Sequence, residues 1–100
     1  MTFFGIRNIG TGQDVTSITV TTTTGEIVAA NTNRAFILMA NTSTTDVFVG
    51  IDVNATLNKG ILLGRNGGTF VMDATALSTG AINGIVSTGT GTIVFQEFNI

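Results

Sequence analysis

Apolar and polar residues alternate along most of this chain with a period of two. That is the repeat of a strand with one face packed and the other wet. From Val15 onward, Val15, Ser17, Thr19, Thr21 and Thr23 fall on one side, and Thr16, Ile18, Val20, Thr22 and Thr24 on the other. Gly25 interrupts the run, and Glu26-Ile27-Val28-Ala29-Ala30 resumes it. Asn31-Thr32-Asn33 predicts a turn, because Asn tolerates left-handed backbone and hydrogen-bonds its own neighbours. Arg34 to Asn41 (RAFILMAN) is nearly continuous in apolar residues and predicts a central strand covered on both faces. A polar turn, Thr42 to Thr45, leads into a second strong strand over Asp46 to Asp52. Phe36 and Phe48, inside these two strands, are candidate core rings. Gly60 to Leu63 is short and runs into Gly64-Arg65-Asn66-Gly67-Gly68, a composition that predicts a tight turn. Further strands are expected at Thr69 to Asp73, Ala81 to Ser87 and Thr92 to Phe98.

No window repeats with the period of a helix; Ala74 to Ser78 has room for one turn and no more. Eight or nine short strands at spacings near ten residues predict an all-β chain. The expected architecture is a single small β-sandwich or jelly-roll-like barrel of about eight strands over residues 15–100, with an extended N-terminal arm. Residues 1–14 stand apart from the period-two pattern. Phe3, Phe4, Ile6 and Ile9 sit there in a stretch that ends Gly10-Thr11-Gly12-Gln13-Asp14. One reading is an edge strand plus a loop. The other is an arm that leaves its own domain and packs its two Phe rings on a neighbour.

Composition narrows the chemistry more than it narrows the fold. The 100 residues include nineteen Thr, thirteen Gly and seven Phe, but no His, Cys, Trp, Tyr or Pro. The side chain that titrates nearest neutrality and the reactive thiol are therefore both missing. Ser17, Ser43, Ser78 and Ser87 have no His as a base, and the one Lys, Lys59, falls in a loop. Asp46, Asp52 and Asp73 are the carboxylates a glycosidase pair would draw on, but the chain lacks the Trp and Tyr platforms that sugar sites carry. Asp52 to Asn58 faintly echoes a calcium loop, yet Leu57 stands where Gly is needed and Leu63 where Glu is needed. No catalytic, metal or cofactor site is expected. Arg34 and Arg65 are expected to form solvated surface pairs with Asp46 or Asp73. The tract Thr21-Thr22-Thr23-Thr24 reads as an exposed strand face, with a flat binding face for ice or a sugar polymer as the alternative.

Charge and hydropathy bear on partners. Only 10% of residues are charged, against roughly 25% in an ordinary soluble domain, while 43% are hydrophobic. Arg7, Arg34, Lys59 and Arg65 are scattered and make no basic stripe for a phosphate backbone. No apolar run approaches the length of a membrane span. The apolar surplus must go into a core or into interfaces, which favours an oligomer or a protein docked on a larger assembly.

Three stretches carry a resemblance: NTNRAFILMANTSTTDVFVGID (Asn31 to Asp52), GILLGRNGGTF (Gly60 to Phe70) and GAINGIVSTGTGTIVFQEF (Gly80 to Phe98). An Arg-led strand ends in Asn, a Val-rich strand carries a Gly, a Gly-x-Leu-Leu-Gly turn follows, and a Gly-rich hairpin closes in a strand with Glu97. About two-thirds of the chain in this pattern resembles the small capsid decoration, or cement, proteins of tailed bacteriophages. Arg65-Asn66-Gly67 departs from it, since related turns often carry Pro-Gly. The resemblance implies a virion structural protein on the capsid surface, without enzymatic activity, that bridges neighbouring capsid subunits and stabilises the shell. Its implied partners are the major capsid protein and itself, as a homotrimer or other homo-oligomer, with no nucleic acid and no membrane, and it implies Phe3, Phe4, Ile6 and Arg7 of the arm as contacts with the shell or with a neighbouring copy. A tail, baseplate or fibre component with a binding role is the alternative.

Overall fold

The computed structural model of the protein describes residues 10–100. These residues form nine strands and no helix: β1 (Thr11–Gly12), β2 (Thr16–Val20), β3 (Gly25–Val28), β4 (Arg34–Asn41), β5 (Val47–Ile51), β6 (Ile61–Leu63), β7 (Thr69–Met72), β8 (Ile82–Ile85) and β9 (Gly91–Asn99). All pairings are antiparallel and fall into two sheets. One runs β1-β9-β4-β7, with β2 also on β9; the other runs β3-β8-β5-β6.

This order has a simple origin. β5 pairs β6, β4 pairs β7, β3 pairs β8 and β2 pairs β9, as in one long hairpin of eight segments. Two more ladders, β4 with β9 and β5 with β8, form when that hairpin wraps on itself. The wrapped hairpin is a jelly roll, an eight-stranded double sheet. The β-sandwich architecture expected from the period-two pattern is the one observed.

Side chains alternate along each strand, so inner and outer faces follow from the register. Ile37 and Met39 of β4, Val47 and Val49 of β5, Ile82 of β8 and Ile93 of β9 are buried between the sheets with Leu63, Val20 and Val86. Ile18, Ile51, Ile61, Phe70 and Phe95 pack against that cluster from its margins. Gly91 opens β9 beneath two of these side chains. A Cβ there would lie 2.9 Å from Val47 Cγ2 and 3.1 Å from Val86 Cγ1, too near for any larger residue without displacement.

Three local expectations are corrected. The strand expected over Val15 to Thr24 ends at Val20, and Thr21 to Thr24 turn the corner from the first sheet to the second. Thr21 Oγ1 accepts from Thr23 N (3.4 Å), and Thr21 O accepts from Val86 N (3.0 Å). Hydroxyls beside the backbone favour such corners over a continued ladder. No flat threonine face exists there. Second, β4 is not covered on both faces: Leu38 between Ile37 and Met39 is 41% exposed. Third, Phe36 and Phe48 lie outside the core. Phe48 sits between buried Val47 and Val49, and Phe36 shares the side of Leu38 and Ala40, opposite that of buried Ile37 and Met39, so both rings project from the outer faces of their sheets.

Candidate functional site

The most polar constellation inside the fold is built on β4. Arg34, its first residue, is 2% exposed, where a solvated surface pair was expected. Its Nε donates to Glu97 Oε2 of β9 at 2.7 Å. Nη1 donates to the carbonyls of Ser78 (2.8 Å) and Gly80 (2.9 Å), and Nη2 to the carbonyl of Ala29 (3.0 Å). Ala29 follows β3, and residues 78–80 precede β8, so this one guanidinium ties the first sheet to the second. Asn31 closes the cluster, donating through Nδ2 to Glu97 Oε2 (3.3 Å) and Asn99 Oδ1 (2.7 Å). A guanidinium has five N–H donors in a rigid fork, and here four bonds are already made to the protein. The group is spent on the fold and has little left for a ligand.

Asn41, the last residue of β4, does the same at the other end. It is completely buried. Nδ2 donates to Thr45 O (2.7 Å), just before β5, and to Leu63 O (2.8 Å), at the end of β6. Oδ1 accepts from Ser43 N (2.9 Å) and Ser43 Oγ (2.6 Å). Among the described residues, every buried side-chain nitrogen and oxygen has a partner. Neither cluster offers an idle polar group.

The surface pair that does form is Arg65 with Asp46, in the turn after β6. Arg65 donates to Asp46 through Nε (3.1 Å), Nη2 (3.2 Å) and its own backbone N (2.8 Å). These bonds, the side-chain ones first, hold the Asp46 carboxyl below the ordinary aspartate range and raise Arg65. Asp73 is lowered too, first by the Thr75 hydroxyl (2.6 Å) and then by the Thr75 N–H (3.0 Å). That Asx turn occupies the place where one helical turn was expected; Ala76 N donates back to Asp73 O. Asn66 and Gly67, at φ 61° and 115°, give the tight turn its left-handed backbone. Asp46, Asp52 and Asp73 do not converge: among the described residues no group of three or more His, Cys, Asp or Glu side chains could hold a metal ion.

What remains unspent is apolar and faces outward. On the larger sheet, Phe36 stands opposite Phe98, Leu38 opposite both Gln96 and Val71, and Ala40 opposite Val94. The Phe36 and Phe98 rings meet edge to face with centroids 5.5 Å apart. Val71, on the edge strand β7, is 53% exposed. On the smaller sheet, Leu62, Phe48 and Ile85 form one row across β6, β5 and β8; Leu62 is also 53% exposed. Within the strands of the larger sheet, Arg34 and Glu97 are the charged residues. The two turn inward to each other.

The expected contact residues Phe3, Phe4, Ile6 and Arg7 lie outside the described residues. The described chain starts at Gly10, against Phe98 Cβ and Ala35 Cβ at one end of the larger sheet. Thr11 and Gly12 then pair with Asn99 and Phe98. The outward rows had a signal in the sequence: Phe36, Leu38 and Ala40 occupy the alternate positions to Ile37, Met39 and Asn41, but both sets are apolar enough to be core. No family model, curated protein or solved structure matches the chain.

Proposed function

We propose that this chain is a virion structural protein that binds the outer surface of a tailed-phage capsid and stabilises the shell by bridging neighbouring subunits. The observation that carries the reading is the pair of outward apolar rows, one on each sheet. A bridge must hold two neighbours at once, and these rows give the domain two separate surfaces with which to do so. The polar groups agree with it, since among the described residues Arg34 and Asn41 spend their hydrogen bonds on the fold. The likeness of Asn31 to Phe98 to capsid decoration proteins supports the same reading. Jelly rolls build viral capsid domains but also lectins and cupins, so the strand order is an analogy and assigns nothing alone.

The proposed partners are the major capsid protein and further copies of the chain, rather than nucleic acid or a membrane. Phe3, Phe4, Ile6 and Arg7 are the proposed contacts with the shell or with a neighbouring copy. The mechanism is mass action: a protein that binds the expanded shell and not its separated subunits stabilises the shell according to its concentration and affinity. The test is co-sedimentation of the purified chain with emptied and DNA-filled phage heads. Saturable binding to heads, with no binding to tails, supports the reading. A chain that ignores heads and binds tails overturns it in favour of a tail or fibre role.

A further inference from the structure

We infer that Asn66 is a site of spontaneous modification, where the side-chain amide is lost to the backbone and the turn after β6 is rebuilt one atom longer. The chemistry is independent of the proposed function and needs only water. An Asn followed by Gly is prone to it, because without a Cβ nothing hinders approach of the Gly nitrogen to the Asn side chain. The chain has two such pairs, Asn66-Gly67 and Asn83-Gly84, and the fold treats them oppositely. Asn83 and Gly84 lie in β8, with ladder partners in β3 on one side and β5 on the other. Asn83 Nδ2 is held on Val53 O (2.7 Å), and Gly84 is buried under Ile27 and Val20. Asn66 and Gly67 are both exposed, and a Cβ on Gly67 would meet no heavy atom within 4 Å. One restraint guards the pair: Gly67 N donates to Asn41 O (2.8 Å), and that bond must open before the nitrogen can react. Exposed turns open at little free-energy cost.

Once it opens, Gly67 N gives up its proton to water or hydroxide and bonds to Asn66 Cγ. The Cγ–Nδ2 bond breaks, and Nδ2 takes up a proton and leaves as ammonia. Water then opens the five-membered imide at either carbonyl. Breaking the bond to Cγ leaves Asp; breaking the bond to the main-chain carbon of residue 66 leaves isoaspartate, with the chain running through Cγ. The longer backbone cannot keep Asn66 N on Ser43 O and Gly67 N on Asn41 O together, each now 2.8 Å. Both acceptors lie at the Asn41 end of β4, where the Asn41 side chain holds Ser43 and Thr45. The modification therefore loosens that end of the sandwich.

The test is to age the full chain in mildly alkaline buffer and map its peptides by mass spectrometry. Asn66 is expected to convert at least about tenfold faster than Asn83, since exposed turns open for little free energy and paired strands only for much of the global value. In urea, where both sites are open, that gap closes. Aged wild-type chain is expected to melt below fresh chain. Asn66→Gly, which takes left-handed backbone without strain, removes both the conversion at the turn and the loss of stability on ageing. Equal conversion of Asn66 and Asn83 in the folded chain overturns the inference, as does a gap that persists in urea, which makes it a property of the sequence alone. A chain converted at Asn66 that melts like fresh chain overturns the loosening of the turn. Should Asn66→Gly fail to fold, the wild-type comparison between buffer and urea decides alone.

Discussion

Arg34 and Asn41, the first and last residues of β4, clamp the two sheets together from opposite ends of one strand. Arg34 reaches Ala29, Ser78 and Gly80 on the side of the second sheet, and Asn41 reaches Thr45 and Leu63. Between them lie Ile37 and Met39, wholly in the core. Hydrophobic burial is non-directional, so a thin core of Ile, Val and Met leaves the stacking of the sheets loosely specified. Directed hydrogen bonds at both ends of the central strand supply the missing register.

Removing the Arg34 clamp is expected to be costly. Arg34→Ala leaves three carbonyls without this donor and Glu97 with only the longer Asn31 bond, and is expected to cost about 3–5 kcal/mol in urea denaturation. Arg34→Lys restores only part of this, because one ammonium cannot replace a fork that reaches Glu97, Ala29, Ser78 and Gly80 together. Arg65→Ala, at the exposed pair, leaves the midpoint nearly unchanged. A loss below about 1 kcal/mol for Arg34→Ala would show that the clamp is dispensable.

Asn41 offers a sharper contrast. Asn41→Ala is expected to cost about 1–3 kcal/mol by stranding Leu63 O and Thr45 O. Asn41→Asp, nearly the same in shape, removes both donors and sets a carboxylate against those two carbonyls. It should destabilise more than the Ala change; equal or smaller loss would contradict the assigned Nδ2 orientation.

The placement of Phe36 has a measurable consequence. Phe36→Ala on the outer face is expected to cost about 1–2 kcal/mol, chiefly its edge-to-face contact with Phe98 and partial burial. Ile93→Ala, in the core, should cost about 2–5 kcal/mol. Should Phe36→Ala reach the loss of Ile93→Ala in the same denaturation series, the ring belongs to the core after all.

These comparisons mark what the residues alone convey. Period-two alternation and Gly, Asn and Thr breaks locate β4, β5, β6 and β7 to within a residue or so, because strand and turn are local properties. The faces of Phe36 and Phe48 are not legible locally, since apolar residues occupy both alternate sets in β4 and β5. Telling inside from outside there requires knowing which strands lie beneath. The burial of Arg34 is illegible for the same reason: Glu97 is 63 residues away in sequence and meets it only when β9 closes on β4. The corner at Thr21 to Thr24 was hidden by a residue type that suits both a pleated strand and a bend.

The pH dependence has a definite sign. The folded-state pKa of Asp46 is depressed by Arg65, and that of Asp73 by Thr75. A depressed carboxyl stabilises the fold above its unfolded value of about 3.9, and that contribution is lost as pH falls through the lower folded value. The chain has no His to titrate between pH 5 and 8. Thermal melts are therefore expected to be flat across neutrality and to decline on the acid side, less steeply in Asp46→Asn. A melting temperature that falls between pH 8 and 6 would contradict this assignment.

Residues 10–13 belong to the sheet, through the β1 ladder and the bond from Gln13 N to Glu97 O (2.8 Å). A deletion that tests the arm should therefore stop at residue 9. That shortened chain is expected to melt like the full one and to bind heads more weakly. Undiminished head binding would remove Phe3, Phe4, Ile6 and Arg7 from the proposed contacts.

The central claim is that the protein reinforces a shell, and the most direct measurement is the temperature at which phage heads release their DNA as the chain is titrated onto them. The account predicts a rise that saturates with occupancy, following the mass-action dependence on concentration over dissociation constant. Heads that release DNA at one unchanged temperature while fully decorated would contradict it.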